Sequence, residues 1–376
     1  MASMRMCDSM LPALAEEFAT RGDRASQTIS LFALAYGIFQ LCSGPLGDRL
    51  GKTRVIALAA FACALGNFGA CLAGTLDELL AARLFSGIGA AGIVPLTMAW
   101  IGDHSPDDER QVALARLLGA TVLGMIAGQW GGGALASSLG WRTSFMSTGA
   151  VFALGWVTVR RVSPRVPRDT SANQLAFVSQ TIDILGANWV RLVLLVTFVE
   201  GMFAYSALAF MPTYLNTSFA LSSSSAGLIA SSYGVGGLIF SLGSKRMIRR
   251  LRDARLVRVG GLLLAIALVA LAASPVRWLS VPACALAGFG FYALHNVLQN
   301  HAAQMTPQTR GTAVSLFSCV LFLGQSFGIA MGGWSVSHAS VRGLFVVCGA
   351  GLLVLAAVFA HLLTVRDAPL MPRVRE

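Results

Sequence analysis

The chain alternates long apolar stretches with short polar connections. The stretches run over 26–46, 54–74, 76–101, 111–134, 141–161, 189–215, 222–244, 256–274, 278–300, 311–336 and 341–364. Each is close to or above the ~20 residues that cross a hydrocarbon core. Backbone polar groups in lipid must be satisfied within the chain, so each stretch is expected to be helical. A twelfth candidate, Met1 to Phe18, would reach only ~27 Å as a helix against a core of ~30 Å, and it reads as a span missing its inner end. The longest polar interval, 160–188, leaves six spans on either side. The expected fold is all-α and polytopic, with twelve transmembrane helices in two bundles of six. The first bundle covers 1–161 and the second 189–364, joined by a linker over 162–188 and followed by a tail over 365–376. Two bundles around a shared central site form the plan of a transporter.

Basic residues orient the spans, because loops on the cytoplasmic side carry the excess of Lys and Arg. One set of connections holds Arg49, Lys52, Arg54, Arg110, Arg116, Arg160, Arg161, Arg165, Arg168, Arg191, the run from Lys245 to Arg258, Arg310, Arg366, Arg373 and Arg375. The opposite set holds Arg21, Arg24, Arg142, Arg277 and Arg342. The first set is assigned to the cytoplasm, and twelve spans then place both termini there. The cell's inner (plasma) membrane is the expected location.

Composition agrees. Of 376 residues, 55% are hydrophobic and 12% charged, where a soluble chain carries about a quarter charged. The net charge of +11 comes from the basic loops, so nucleic acid is not an expected partner. Seven cysteines lie in apolar stretches without metal-ligand spacing, so no metal or disulfide is expected. Phosphate-loop, HExxH and GxSxG signatures are missing, so neither an enzyme nor a cofactor is expected. Arg5, Asp8, Glu16 and Glu17 interrupt the first residues, and no cleavable leader is expected there.

After the second span the chain reads Gly44-Pro45-Leu46-Gly47-Asp48-Arg49-Leu50-Gly51-Lys52-Thr53-Arg54. It resembles the major facilitator superfamily loop G-x-L-x-D-R-x-G-[RK]-[RK]-x, with Thr53 where a base is common. The segment Arg83-Leu84-Phe85-Ser86-Gly87-Ile88-Gly89-Ala90-Ala91 resembles the family's R-x-x-x-G-x-G-A-A. Gly124, Gly128, Gly131 and Gly132 match the glycines of G-x-x-x-G-P-x-x-G-G, a segment associated with antiporters, with Gln129 in place of the proline. In the second half, Arg249 stands where Asp48 stands in the first. The resemblance covers essentially the whole chain and is closest to the bacterial drug:proton antiporter branch.

The resemblance implies a gate made of Gly44, Asp48, Arg49, Gly51, Lys52, Arg54 and Arg83. Asp48 would meet the positive end of the eleventh helix near Gly311 when the inside is shut, an interaction worth about 0.3–2 kcal/mol. A merely solvated, topology-setting loop is the alternative. It also implies close helix packing along Gly124, Gly128, Gly131 and Gly132.

Of seventeen acids, only Asp8 and Glu200 fall well inside spans. Glu200 lies eleven residues past Trp189, ~16 Å along a helix and so near the midplane. A charge there is paired or protonated, so Glu200 is a candidate proton carrier or a fixed hydrogen-bonded acid. Arg5 and Asp8 are one turn apart and form a candidate internal pair, unless Arg5 snorkels to the inner interface. Tyr292, His295, Asn296 and Gln299 recur at i, i+3, i+4 and i+7, one face of a helix, as a solute- or proton-binding face or as packing contacts. The resemblance implies a monomeric secondary transporter that couples a small organic solute to protons, most simply outward. Proton-driven uptake and a non-transporting sensor or decayed transporter are the alternatives.

Overall fold

The computed structural model describes residues 1–162, 174–305 and 310–367. Its α-helices are α1 (Ala2–Arg5), α2 (Leu11–Glu17), α3 (Gly22–Leu50), α4 (Lys52–Leu72), α5 (Leu76–Ala90), α6 (Ile93–His104), α7 (Asp107–Leu139) and α8 (Trp141–Val162) in the first half. The second half holds α10 (Asn188–Phe219), α11 (Ser223–Arg250), α12 (Asp253–Ala273), α13 (Ser280–Ala303), α14 (Arg310–His338) and α15 (Val341–Asp367), preceded by α9 (Gln174–Gly186). Among the described residues, ten helical segments are long and apolar enough to cross a membrane. The helix α8 is 22 residues long, about 33 Å, and packs beside α4. Its first turns carry Arg142, Thr143, Ser144, Ser147 and Thr148, which lower its apolar density below that of the ten.

Local chemistry sets the boundaries. Gly51 holds φ +88°, a left-handed conformation that a side chain disfavours, and this one residue reverses the chain between α3 and α4. Thr75 and Glu78 form a reciprocal capping box at the start of α5, satisfying two otherwise orphaned backbone donors.

One expectation is corrected. Residues 1–18 do not form one shortened helix: α1 and α2 are separated by a 3₁₀ turn over Met6–Ser9, and Pro12 starts the second piece. The apolar stretch over 76–101 lies within one long apolar helical segment, Leu76–His104, with a turn at Ala91–Gly92 dividing it into α5 and α6. The linker contains the helix α9, whose Ile184 is buried and whose Gln180 Oε1 accepts a hydrogen bond from Thr312 Oγ1 at 3.1 Å. Linker residues 163–173, with Arg165 and Arg168, and tail residues 368–376, with Arg373 and Arg375, lie outside the described residues.

Glycines let backbones touch. A methyl group on Gly288 of α13 would sit 1.9 Å from Tyr233 O of α11, and one on Gly236 of α11 would sit 1.8 Å from Ala285 O of α13. These two helices are therefore locked main chain to main chain.

The halves meet where α3 packs on α14 and α7 on α11. Ser326 Oγ donates to Ser30 O at 2.8 Å, and Gly227 approaches Gln129 O. At the less basic end, Arg21 Nη2 lies 2.7 Å from His338 Nε2, Ser337 Oγ accepts from Asp23 N at 3.0 Å, and Gly333 lies against Ser26. At the basic end, Gly44, Gly51 and Gly311 have open space on their side-chain faces. The two halves are therefore held together at the less basic end.

Candidate functional site

Among the described residues, the buried charged side chains are Arg5, Asp8, Arg83 and Glu200. Unpaired, each would cost several kcal/mol to hold away from water, so their partners define the site.

In the first half, the short pieces at the chain start bring Arg5 and Asp8 together. Arg5 Nε lies 3.3 Å from Asp8 Oδ2, with 1% and 0% of the side chains exposed. Burial at that level rules out a snorkelling Arg5. Gln129 Nε2 of α7 donates to the same Asp8 oxygen at 3.3 Å, while Ser9 Oγ donates to Gln129 O at 2.6 Å. The residue standing in the proline position thus supplies a hydrogen bond that proline cannot make. The Arg5 guanidinium also crosses to the second half, lying over the Tyr205 ring of α10 at 5.5 Å.

Arg83 does not sit with the loop over 44–54. It is fully buried in the first half, donating from Nε to Thr28 O at 3.0 Å and from Nη1 to Ser3 Oγ at 3.2 Å. Ser3 in turn donates to Asn67 Oδ1 at 3.2 Å. The Phe32 ring lies 4.3 Å beneath its guanidinium, a cation–π arrangement that helps to offset desolvation.

In the second half, α10 and α13 place His295 Nδ1 2.9 Å from Glu200 Oε2. Phe291 stacks on the His295 ring with centroids 5.1 Å apart and also touches Tyr205, Tyr233 and Tyr292. The predicted face of α13 is therefore divided. Tyr292 and His295 are half-buried in this cluster, Asn296 is half-buried beyond it, and Gln299 is exposed. Aromatic contacts thus connect the Arg5–Asp8 pair with the Glu200–His295 pair across the boundary of the halves.

At the basic end Lys52 pairs with Asp103 at the end of α6. Asp48, Arg49 and Arg54 are exposed, and Asp48 makes no hydrogen bond or ion pair among the described residues. Gly311 has nothing within 4 Å of its side-chain face, so the expected contact of Asp48 with the start of α14 is not made among the described residues. In the glycine segment, a methyl group on Gly128 would meet Ala2 O at 2.4 Å and one on Gly132 would meet Met6 O at 2.7 Å. The contact at Gly124 is looser, 3.6 Å from Ala2 N, and Gly131 has nothing within 4 Å. Gly131 therefore makes no close helix contact, whereas its neighbour Gly133 does, against Ser223 O at 2.3 Å.

Sequence reasoning missed Tyr205, Tyr233 and the donor role of Gln129. The available signal was the same for all three: a polar atom inside an apolar span, where it needs a partner.

The family model of the Major Facilitator Superfamily matches residues 1–192 and again 193–376. An uncharacterized MFS-type transporter of Bacillus subtilis, YceJ, is 22% identical over 328 residues, covering 86% of this chain and 83% of that protein. A probable L-galactonate transporter of Escherichia coli K12 is 28% identical over 244 residues, covering 60% of this chain and 53% of the relative. A putative multidrug resistance protein, MdtD, of E. coli is 25% identical over 163 residues, covering 43% of this chain and 35% of the relative. The chain thus spans about half and about a third of those last two. A bacterial homolog of the human lysosomal transporter Spinster, in an inward-facing and unoccupied conformation, shares the fold with a TM-score of 0.75 at 20% identity, over 96% of this chain and 94% of that one. With both halves matched and the helical fold shared, the chain belongs to the major facilitator superfamily.

Proposed function

We propose that this multi-pass membrane protein exchanges protons for a small organic solute by alternating access, carrying the solute outward. One observation supports the reading above the others: each half buries a titratable pair, Arg5–Asp8 and Glu200–His295, and the two pairs flank one aromatic cluster at the boundary of the halves. Buried acids inside a membrane protein are expensive and mark proton or substrate paths. A boundary between two helical halves that pack through α3 on α14 and α7 on α11 suits a ligand bound between two rocking bundles.

The outward direction draws on the glycine segment and on the similarity to MdtD. Uptake is a second reading, favoured by Gln129 in the proline position, where it holds Asp8 instead of bending α7. The basic end is assigned to the cytoplasm of a bacterial inner membrane, with both termini there and the transporter acting as a monomer. The loop with Gly44, Asp48, Arg49, Gly51, Lys52 and Arg54 is assigned to gating, and Asn296 and Gln299 to the solute path.

The test is proton movement in reconstituted vesicles carrying an entrapped pH dye, with a panel of organic cations, anions and neutral solutes. At least one solute is expected to move protons through the wild type, and Asp8→Asn combined with Glu200→Gln is expected to abolish that movement in folded protein. Undiminished solute-driven proton flux in the double variant would refute the assignment.

A further inference from the structure

Of the four buried charges, Arg5 is the least satisfied. Its Nε, Nη1 and Nη2 lack hydrogen-bond partners, and its ion pair with Asp8 runs through Nε alone at 3.3 Å. Arg83, the other buried guanidinium, is held by a backbone carbonyl and a serine. Nearby, Tyr233 has a buried hydroxyl without a partner and reaches the Arg5–Tyr205 contact through Phe291. Arginine has donors and no acceptor. The unfilled groups of this cluster are the three Arg5 nitrogens and the Tyr233 hydroxyl, together with one carboxylate oxygen each of Asp8 and Glu200, so the unfilled positive donors all belong to Arg5, and the complement of its guanidinium is an acceptor-rich anion.

Charge accounting points the same way. Arg5 and Arg83 carry two positive charges, and Asp8 and Glu200 carry two negative ones when ionised. The buried set is balanced only while the Glu200–His295 pair holds no extra proton. One proton entering that pair leaves a single positive charge, which a monoanion at Arg5 removes, so this accounting fits the second, uptake reading above, in which solute and proton are carried together. A planar guanidinium fork also fits a carboxylate better than it fits a neutral or cationic group.

We propose that Arg5 binds the carboxylate of the transported solute, so that the substrate class of this site is small organic monoanions. The Tyr205 ring backs the guanidinium, and Tyr233 offers its hydroxyl. This inference rests on the transporter reading above and adds the charge of the cargo.

Three matched aromatic probes test it on the purified full-length protein in lipid nanodiscs: benzoate, benzamide and benzylamine, with hexanoate, hexanamide and hexylamine as the aliphatic set. The readout is thermal stabilisation as a function of concentration. A carboxylate is expected to stabilise the wild type where its amide and amine do not. Arg5→Gln is expected to bind it on the order of 10- to 100-fold more weakly, the loss that follows from removing a hydrogen bond to a charged group, and Arg5→Lys to lose less. Equal or better stabilisation by an amide or amine, no stabilisation by either carboxylate at millimolar concentration, or unchanged binding in Arg5→Gln would overturn the proposal. If Arg5→Gln does not fold, the ranking of the three charge forms on the wild type decides. Proton-coupled movement of an amine, with no response to carboxylates, sinks this inference and leaves the transporter reading standing. Carboxylate binding in a protein that moves nothing across vesicles does the reverse.

Discussion

Gly288→Ala offers a sharp check on the packing that carries the second titratable pair. A methyl group there would stand 1.9 Å from Tyr233 O, whereas an ordinary contact begins at 3.4 Å, so α11 and α13 must separate by up to 1.5 Å. The obstacle is backbone rather than a flexible side-chain end, so relaxation means moving a helix. Overpacking of this kind costs about 1–3 kcal/mol, and the gain in helix propensity on replacing glycine by alanine returns ~0.5–1 kcal/mol. Gly155→Ala supplies the control, because nothing lies within 4 Å of its side-chain face. It should gain the propensity term without the clash. Unfolding free energies from SDS titration in mixed micelles should therefore fall for Gly288→Ala and stay level or rise for Gly155→Ala. His295 lies two turns beyond Gly288 on the same helix, so transport should also fall in Gly288→Ala at normal expression. A Gly288→Ala protein as stable and as active as the wild type would show that α11 and α13 do not pack backbone to backbone.

Three further outcomes are expected. Gln129→Ala removes the donor to Asp8 while the Arg5 contact remains, which should lower stability by about 1–3 kcal/mol in the same titration; an unchanged value would mean that Asp8 does not depend on this amide. Asp48→Asn should reduce solute flux with little change in unfolding free energy, since the side chain is exposed here, and full flux at normal expression would remove its gating role. A cysteine placed at Gly44, in a background lacking the native cysteines, should react with a membrane-impermeant maleimide from the basic end, whereas one at Gly333 should be protected by its contact with Ser26. Equal labelling of the two would contradict the open face of Gly44 and the close contact of Gly333 with Ser26.

The sequence by itself determined the helical class, the division into two halves and the family, because lipid forces apolar length onto every crossing and because the loop at 44–54 keeps its glycines and charges in fixed register. It also picked out Asp8, Glu200, Arg5 and His295, since a charge inside an apolar stretch stands out against hydrocarbon. Tertiary structure alone decided who meets whom. His295 faces Glu200 across 95 positions of chain, Gln129 reaches Asp8 across 121, and Arg5 lies over Tyr205 of the opposite half. Spacing along one helix shows which residues share a face but says nothing about the helix opposite. It likewise left open that Arg83 is buried away from the loop over 44–54, that Gly131 packs on nothing while Gly133 does, and that the first eighteen residues break at a 3₁₀ turn. Each of these depends on how closely two backbones approach, and that distance is set by contacts between segments remote in sequence.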